Sequence, residues 1–211
     1  FINMKEFFPT STPIKASNNP YVFKKRDDFL LPDLFEFEGE EKKIKEAIDY
    51  FNTDGLMILK DGEIVYENYW NKNKENSKHI IWSVSKSFLS ALVGIALDEG
   101  LIEDINDPII KYLDDFKGTG YEGVSIKNLL QMSSGIGFNE DYGDPDSDIN
   151  RYGRVTATGT SQREFAKTLK NARTPGTYNH YVSLDSQMLG MLVAEVSGVS
   201  IKEYLHDKIW N

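Results

Sequence analysis

Between residues 55 and 70 the sequence GLMILKDGEIVYENYW sets two β-rich runs on either side of Asp61-Gly62, the strongest short signal for an antiparallel hairpin. This stretch constrains the fold most, because a lone two-stranded hairpin is at best marginally stable in water. Something else must cover its face or extend its edge. The other periodic segments read as helices. In EEKKIKEAIDYFN, Ile44, Ala47, Ile48 and Phe51 recur at helical spacing and predict a surface helix with one buried stripe, ending near Asn52. Asp107 is placed to cap a helix that opens on Pro108, and VSIKNLLQM predicts a short helix after Ser125. LDSQMLGMLVAEVSG reads as an amphipathic helix closed by Gly198, and Ser200 to Glu203 as the capping box of a last one. Residues 133–160 are dense in Gly, Asp and Ser and read as a long loop, functional or disordered. Residues 1–39 lack a sustained period and read as an arm over the domain, anchored by Phe23, Phe29, Leu30 and Phe35.

Composition removes several classes of function. With 211 residues, 40% of them apolar, the chain fits one domain with room for two lobes and a real core. A net charge of −9 argues against binding nucleic-acid phosphates. Zero cysteines exclude disulfides, thiolate catalysis and Cys-zinc sites. No uninterrupted apolar run reaches membrane-spanning length, so no membrane span is expected. The chain opens FINMKEFF; an upstream leader or anchor, cleaved or left out, would point toward the cell envelope or periplasm, and localisation stays open.

The stretch IIWSVSKSFLSALVGIALDEG places Ser83, Ser85 and Lys86 at the front of a long apolar helix, where hydroxyls and an ammonium cost desolvation energy. Ser83 and Lys86 are three residues apart and share a helix face. A serine hydroxyl is inert at neutral pH until a neighbour takes its proton, and a lysine can do so. The helix N-terminus aims N–H groups at an oxyanion formed on attack. Such a spacing arises roughly once by chance in a chain of this length. Alone it describes equally a capped helix start with Lys86 reaching to water.

Four ordered motifs, WSVSKSFLSALVGIALDEGLI, VSIKNLLQMSSGI, FNEDYGDPDSDI and PGTYNHYVSLDSQMLG, together resemble the penicillin-recognising serine hydrolase superfamily. Within it the chain is most similar to the branch of 6-aminohexanoate-dimer (nylon-oligomer) hydrolases and class C β-lactamase-related esterases, from about residue 55 to 211. The resemblance implies that Ser83 is the acylated nucleophile, that Lys86 shares the role of base, and that Tyr181, after Pro175-Gly176-Thr177, relays a proton to the leaving group with its pKa lowered by Lys86. Ser183 stands where many relatives carry Asn, a departure that weakens a specific β-lactamase reading. Tyr142 matches a substrate-contacting loop tyrosine of the nylon-oligomer hydrolases.

Rival readings exist for each group. Tyr181 also reads as a turn tyrosine. Glu140, Asp141, Asp144 and Asp146 read equally as a solvated loop or a weak Ca²⁺ site without EF-hand spacing. Trp70 and Trp82 read as packing residues, and His79, His180 and His206 sit in no recognisable triad context.

The expected fold is therefore α/β (α+β) of the β-lactamase/transpeptidase type, an antiparallel sheet backed by helices plus a helical lobe, with the active site between lobes. Residues 1–39 form the arm and residues 40–211 the hydrolase domain. The expected function is cleavage of a small-molecule ester or amide through an acyl-enzyme, with no cofactor. A β-lactamase or D-alanyl-D-alanine carboxypeptidase is the alternative within the enzyme class, and a non-turnover sensor or scaffold the alternative outside it. Nothing matches the K-T-G-like third motif that relatives carry on C-terminal strands. The expectation is an N-terminal portion whose sheet is completed by a C-terminal segment or second chain, with Ser83 facing that partner and half of the oxyanion hole supplied by it.

Overall fold

The computed structural model describes residues 13–211. They divide into one unit of residues 18–80 and another of residues 13–17 with 81–211.

In the first unit, strands β3 (Gly55–Lys60) and β4 (Glu63–Tyr69) pair antiparallel, with a register shift between Ile58 and Leu59. Asp61 and Gly62 both take positive φ, 54° and 77°, which matches the right-handed twist of a tight hairpin. Ile64 and Val65 of β4 are buried. The arm is held by its backbone: Arg26 N–H donates to Ile64 O and Ile64 N–H to Lys24 O, both at 2.8 Å. Phe23 and Leu30, expected as apolar anchors, are exposed.

A second hairpin was not expected. β1 (Leu34–Phe37) pairs with β2 (Glu40–Lys43). Helix α1 therefore runs only over Ile44–Tyr50, two turns with no fully buried residue, and Phe51 is exposed. The buried stripe read from the sequence is thus only half-buried, at Ile44, Ala47 and Ile48, beside a hollow also lined by Tyr66 and Trp70. Propensity misses this pairing because EEKK has no apolar alternation.

The second unit holds a continuous core. Helix α2 (Ser85–Asp98) contributes Leu92, Val93 and Ala96, and the following irregular segment contributes Ile102, Ile109, Leu113 and Phe116. The helix expected after Pro108 is a single 3₁₀ turn, Ile109–Lys111, and Asp107 does not cap it; its carboxylate accepts from Lys111 and Tyr112 instead. Ser125 starts α3 (Ile126–Leu130) with a capping box completed by Asn128. Two further helices, α4 (Asp148–Thr158) and α5 (Gln162–Thr168), start at Ser147 and Ser161, whose side chains accept from the third helical N–H. All of α4 lies where a loop was expected. α6 (Ser183–Ser197) stops at Gly198 as expected, and Ser200 and Glu203 form the capping box of α7 (Ile201–Leu205). No helix among the described residues is long and apolar enough to cross a membrane.

The segment after α3 ties the core to the residues that precede α6. Gly135 O accepts from Ala172 and Arg173, Gly176 N–H donates to Ser133 O at 2.7 Å, and His180 N–H donates to Met132 O at 2.7 Å. Gly135 has φ +75°, and a Cβ there would lie 2.2 Å from Arg173 O. Gly135→Ala combines left-handed backbone strain with a backbone clash, so urea unfolding should show a loss of about 2–5 kcal/mol. A loss under about 0.5 kcal/mol, the range of an ordinary surface change, would remove this role.

Candidate active site

Ser83 lies in a 3₁₀ turn, Trp82–Val84, that runs directly into α2. The bulky residue before it, Trp82, has φ +43°, a sparsely populated conformation of the kind that clusters at functional sites. The helical winding puts Lys86 one turn on. Lys86 Nζ donates to Ser83 Oγ at 3.1 Å, and Tyr181 Oη donates to the same oxygen at 2.8 Å across 98 residues of sequence. Lys86 Nζ also sits 5.3 Å from the centroid of the Tyr181 ring. The two groups that sequence reasoning placed around Ser83 thus meet on one oxygen. Ser85 turns away, its hydroxyl donating to Trp82 O at 2.8 Å.

Burial by itself pushes the Tyr181 phenol up. The hydrogen bonds to Ser83 and Lys86, together with the lysine charge, outweigh it and bring the phenol below its ordinary value, while Glu140 opposes them. Once ionised, the phenol can take the Ser83 proton and leave Oγ able to attack a carbonyl.

Ser183 and Tyr142 come together through a residue that sequence reasoning left in the acidic loop. Glu140 accepts from Ser183 N–H at 3.0 Å, from the Ser183 hydroxyl, and from Tyr142 Oη at 3.0 Å. Burial first, then the Glu140 hydrogen bond, raises the Tyr142 phenol. The other acidic groups order the loop itself. Asp141 accepts from Gly143 N–H at 2.8 Å, Asp144 accepts from Asp146 N–H at 2.9 Å, and Asn150 donates to the carbonyls of Tyr142 and Asp144. No signal of spacing marks Glu140, because its partners on α6 are 43 residues away.

Two of the three histidines are used elsewhere. His180 Nε2 is bonded to Phe138 O at 2.9 Å, and His79 is paired with Asp54 at 2.8 Å. Trp82, expected to pack, is 65% exposed, whereas Trp70 is half-buried. A cavity of about 650 Å³ lies beside Ser83, lined also by Lys86, Ser183, Trp82, Tyr142 and Leu92.

This arrangement has a family. The beta-lactamase family model matches residues 42–211. The chain belongs to the beta-lactamase family. Family membership puts it in the serine hydrolase superfamily of the beta-lactamase type. It is 30% identical over 187 residues to the 6-aminohexanoate-dimer hydrolase of Paenarthrobacter ureafaciens, an alignment covering 85% of this chain and 45% of that protein. A solved Bacillus anthracis protein, whose naming as a 6-aminohexanoate-dimer hydrolase is itself provisional, superposes with a TM-score of 0.82 at 22% identity, over 100% of this chain and 57% of that one. A class C beta-lactamase solved with cefoxitin gives 0.60 at 21% identity, over 79% and 46%. The chain spans under half the length of the curated relatives it matches. The fold is thus of the beta-lactamase/transpeptidase type, helices with small antiparallel sheets, as the sequence motifs implied.

Proposed function

We propose that this beta-lactamase-family chain carries the acylating centre of a serine hydrolase acting on an ester or small amide, with Ser83 as nucleophile. The observation that carries the reading is the pair of hydrogen bonds to Ser83 Oγ, from Lys86 Nζ and Tyr181 Oη. Tyr181, ionised more readily beside Lys86, takes the Ser83 proton as a phenolate while Oγ attacks the substrate carbonyl. The tetrahedral adduct collapses, the C–O or C–N bond breaks, and Tyr181 returns the proton to the leaving group. Water then releases the acyl group with the proton steps reversed. The proposal assigns this chemistry to residues 40–211.

Ester or amide preference is tested with p-nitrophenyl acetate, short linear amides and a chromogenic cephalosporin. Ester or linear-amide turnover exceeding cephalosporin turnover supports the proposal; the reverse order would make the protein a β-lactamase. Stoichiometric labelling of Ser83 without turnover of any of them would make it a sensor. Substrate contact is assigned to Tyr142 and Ser183. Tyr142 is 67% exposed and lines the cavity. Tyr142→Phe removes its hydroxyl from Glu140 and should change the ester-to-amide ratio of kcat/KM several-fold. An unchanged ratio would take Tyr142 out of the site.

We also propose that the outer edge of β3 is completed by strands of a C-terminal segment or a second chain. Among the described residues β3 pairs only with β4, and its Met57 and Leu59 are each 45% exposed. Slow amide exchange along the β3 edge in the assembled protein supports this, and fast exchange there would oppose it.

A further inference from the structure

Asp185, on the first turn of α6, is completely buried in the apolar core. Tyr121 Oη donates to its Oδ1 at a long 3.4 Å, and its Oδ2 has no hydrogen-bond partner. A buried carboxylate normally has a cation or several N–H donors. None of the ion pairs among the described residues reaches this one. Lys86 of α2 is turned to Ser83 and Tyr181, and Lys127 of α3 is exposed. The charges and titratable groups that face Asp185 are the Glu140 carboxylate and the Tyr121 phenol, with Tyr152 of α4 acting on Tyr121. Of these, Glu140 disfavours negative charge on Asp185. The start of a helix favours a carboxylate, yet burial dominates, and the Asp185 pKa is pushed up to about 7, first by desolvation. Ser134 and Tyr121 pull the other way and do not compensate.

The position of this group gives it a function. The same helical turn begins with Ser183, clamped to Glu140, and is joined through Val182 to Tyr181, whose phenol is bonded to Ser83. We infer that Asp185 is a positioning residue that seats the first turn of α6 so that Tyr181 and Ser183 face Ser83. Ionising it demands water or displacement of that turn, and the displacement moves Tyr181. This rests on Tyr181 acting with Ser83 as proposed above.

The sign follows from linkage. Between about pH 4 and about pH 7 the folded chain keeps a proton that the unfolded chain has lost, so the Asp185 contribution to stability is full below that window and lost as pH rises through it. Asp185→Asn is neutral and nearly isosteric. Its acylation rate by a fluorophosphonate, relative to the unmutated protein, should rise by about tenfold from pH 6 to pH 8, and the slope of its stability with pH should flatten between about pH 4 and 7. A second measurement needs no variant and no activity. Carboxyl resonances of ¹³C-labelled aspartate should include one titrating near neutrality, and the Tyr181 ring resonances should shift with the same midpoint. Parallel pH profiles for the two proteins, or Tyr181 resonances indifferent to the Asp185 titration, would overturn the inference. Failure of the unmutated protein to label at Ser83, with the linked resonances intact, would count against the proposed chemistry and leave the coupling standing.

Discussion

Ser83→Ala abolishes both hydrolysis and covalent labelling, lowering turnover by about 10⁴-fold or more, while the protein unfolds at the same denaturant concentration as its parent. The size of the effect follows from its place in the site. Oγ is the one atom bonded by both Lys86 and Tyr181, and no neighbouring hydroxyl can replace it. The stability is spared because Ser83 is exposed and its side chain fills no core space. Ser85→Ala is the internal control. Its hydroxyl is bonded to Trp82 O, so the variant loses a local hydrogen bond yet keeps its ability to be acylated. Retention of more than a few per cent of activity in Ser83→Ala, or loss of labelling in Ser85→Ala, would move the nucleophile elsewhere.

Lys86→Ala and Tyr181→Phe each lower turnover by about 10² to 10⁴, the usual contribution of a general acid–base group, and the double variant loses far less than the product of the two. Non-additivity is required because the lysine acts in part through the phenol. The hydrogen bond and charge of Lys86 are two of the influences that hold Tyr181 below its ordinary pKa. The phenolate is the form that takes the Ser83 proton, so the acylation rate rises with pH as Tyr181 ionises. Removing Lys86 leaves burial and Glu140 to push the phenol up, which displaces that rise to higher pH. A double variant that multiplies the two losses, or a Lys86→Ala profile whose rise stays where it was, would break the coupling.

How far the sequence discloses this site depends on whether each interaction is local. The Ser83–Lys86 contact is written in a three-residue spacing, and the capping boxes at Ser125 and Ser200 in the same short-range chemistry. Tyr181 was reachable only through the family resemblance of PGTYNHYVS, since its bond to Ser83 closes a separation of 98 residues. Glu140 escaped notice because an acidic residue in an acidic loop looks solvated; its role comes from Ser183, which arrives from another element. Asp185 was hidden by the opposite effect. One carboxylate in an amphipathic helix reads as the polar face, yet here the neighbours on that side are Tyr121 and Ser134 rather than water.

The fold divides in the same way. The Asp61-Gly62 turn states its own conformation, so β3 and β4 were legible. β2 is built from EEKK, whose charges carry no alternation, and its pairing with β1 depends on the turn at Glu38 and Gly39, both at positive φ. In α4 the half-buried Ile149, Tyr152 and Val155 do recur at helical spacing, but the Gly- and Asp-rich residues around them mask the stripe.

The central claim, an acyl-enzyme on Ser83, is tested most directly by mass spectrometry. The protein is mixed briefly with a fluorophosphonate or an activated ester, quenched in acid, weighed intact and then mapped by peptides. One adduct per chain, carried by Ser83 and absent after unfolding before exposure to the reagent, is the result predicted here. An adduct on Ser85, on a histidine or on scattered lysines, or no adduct on the folded protein, would contradict it.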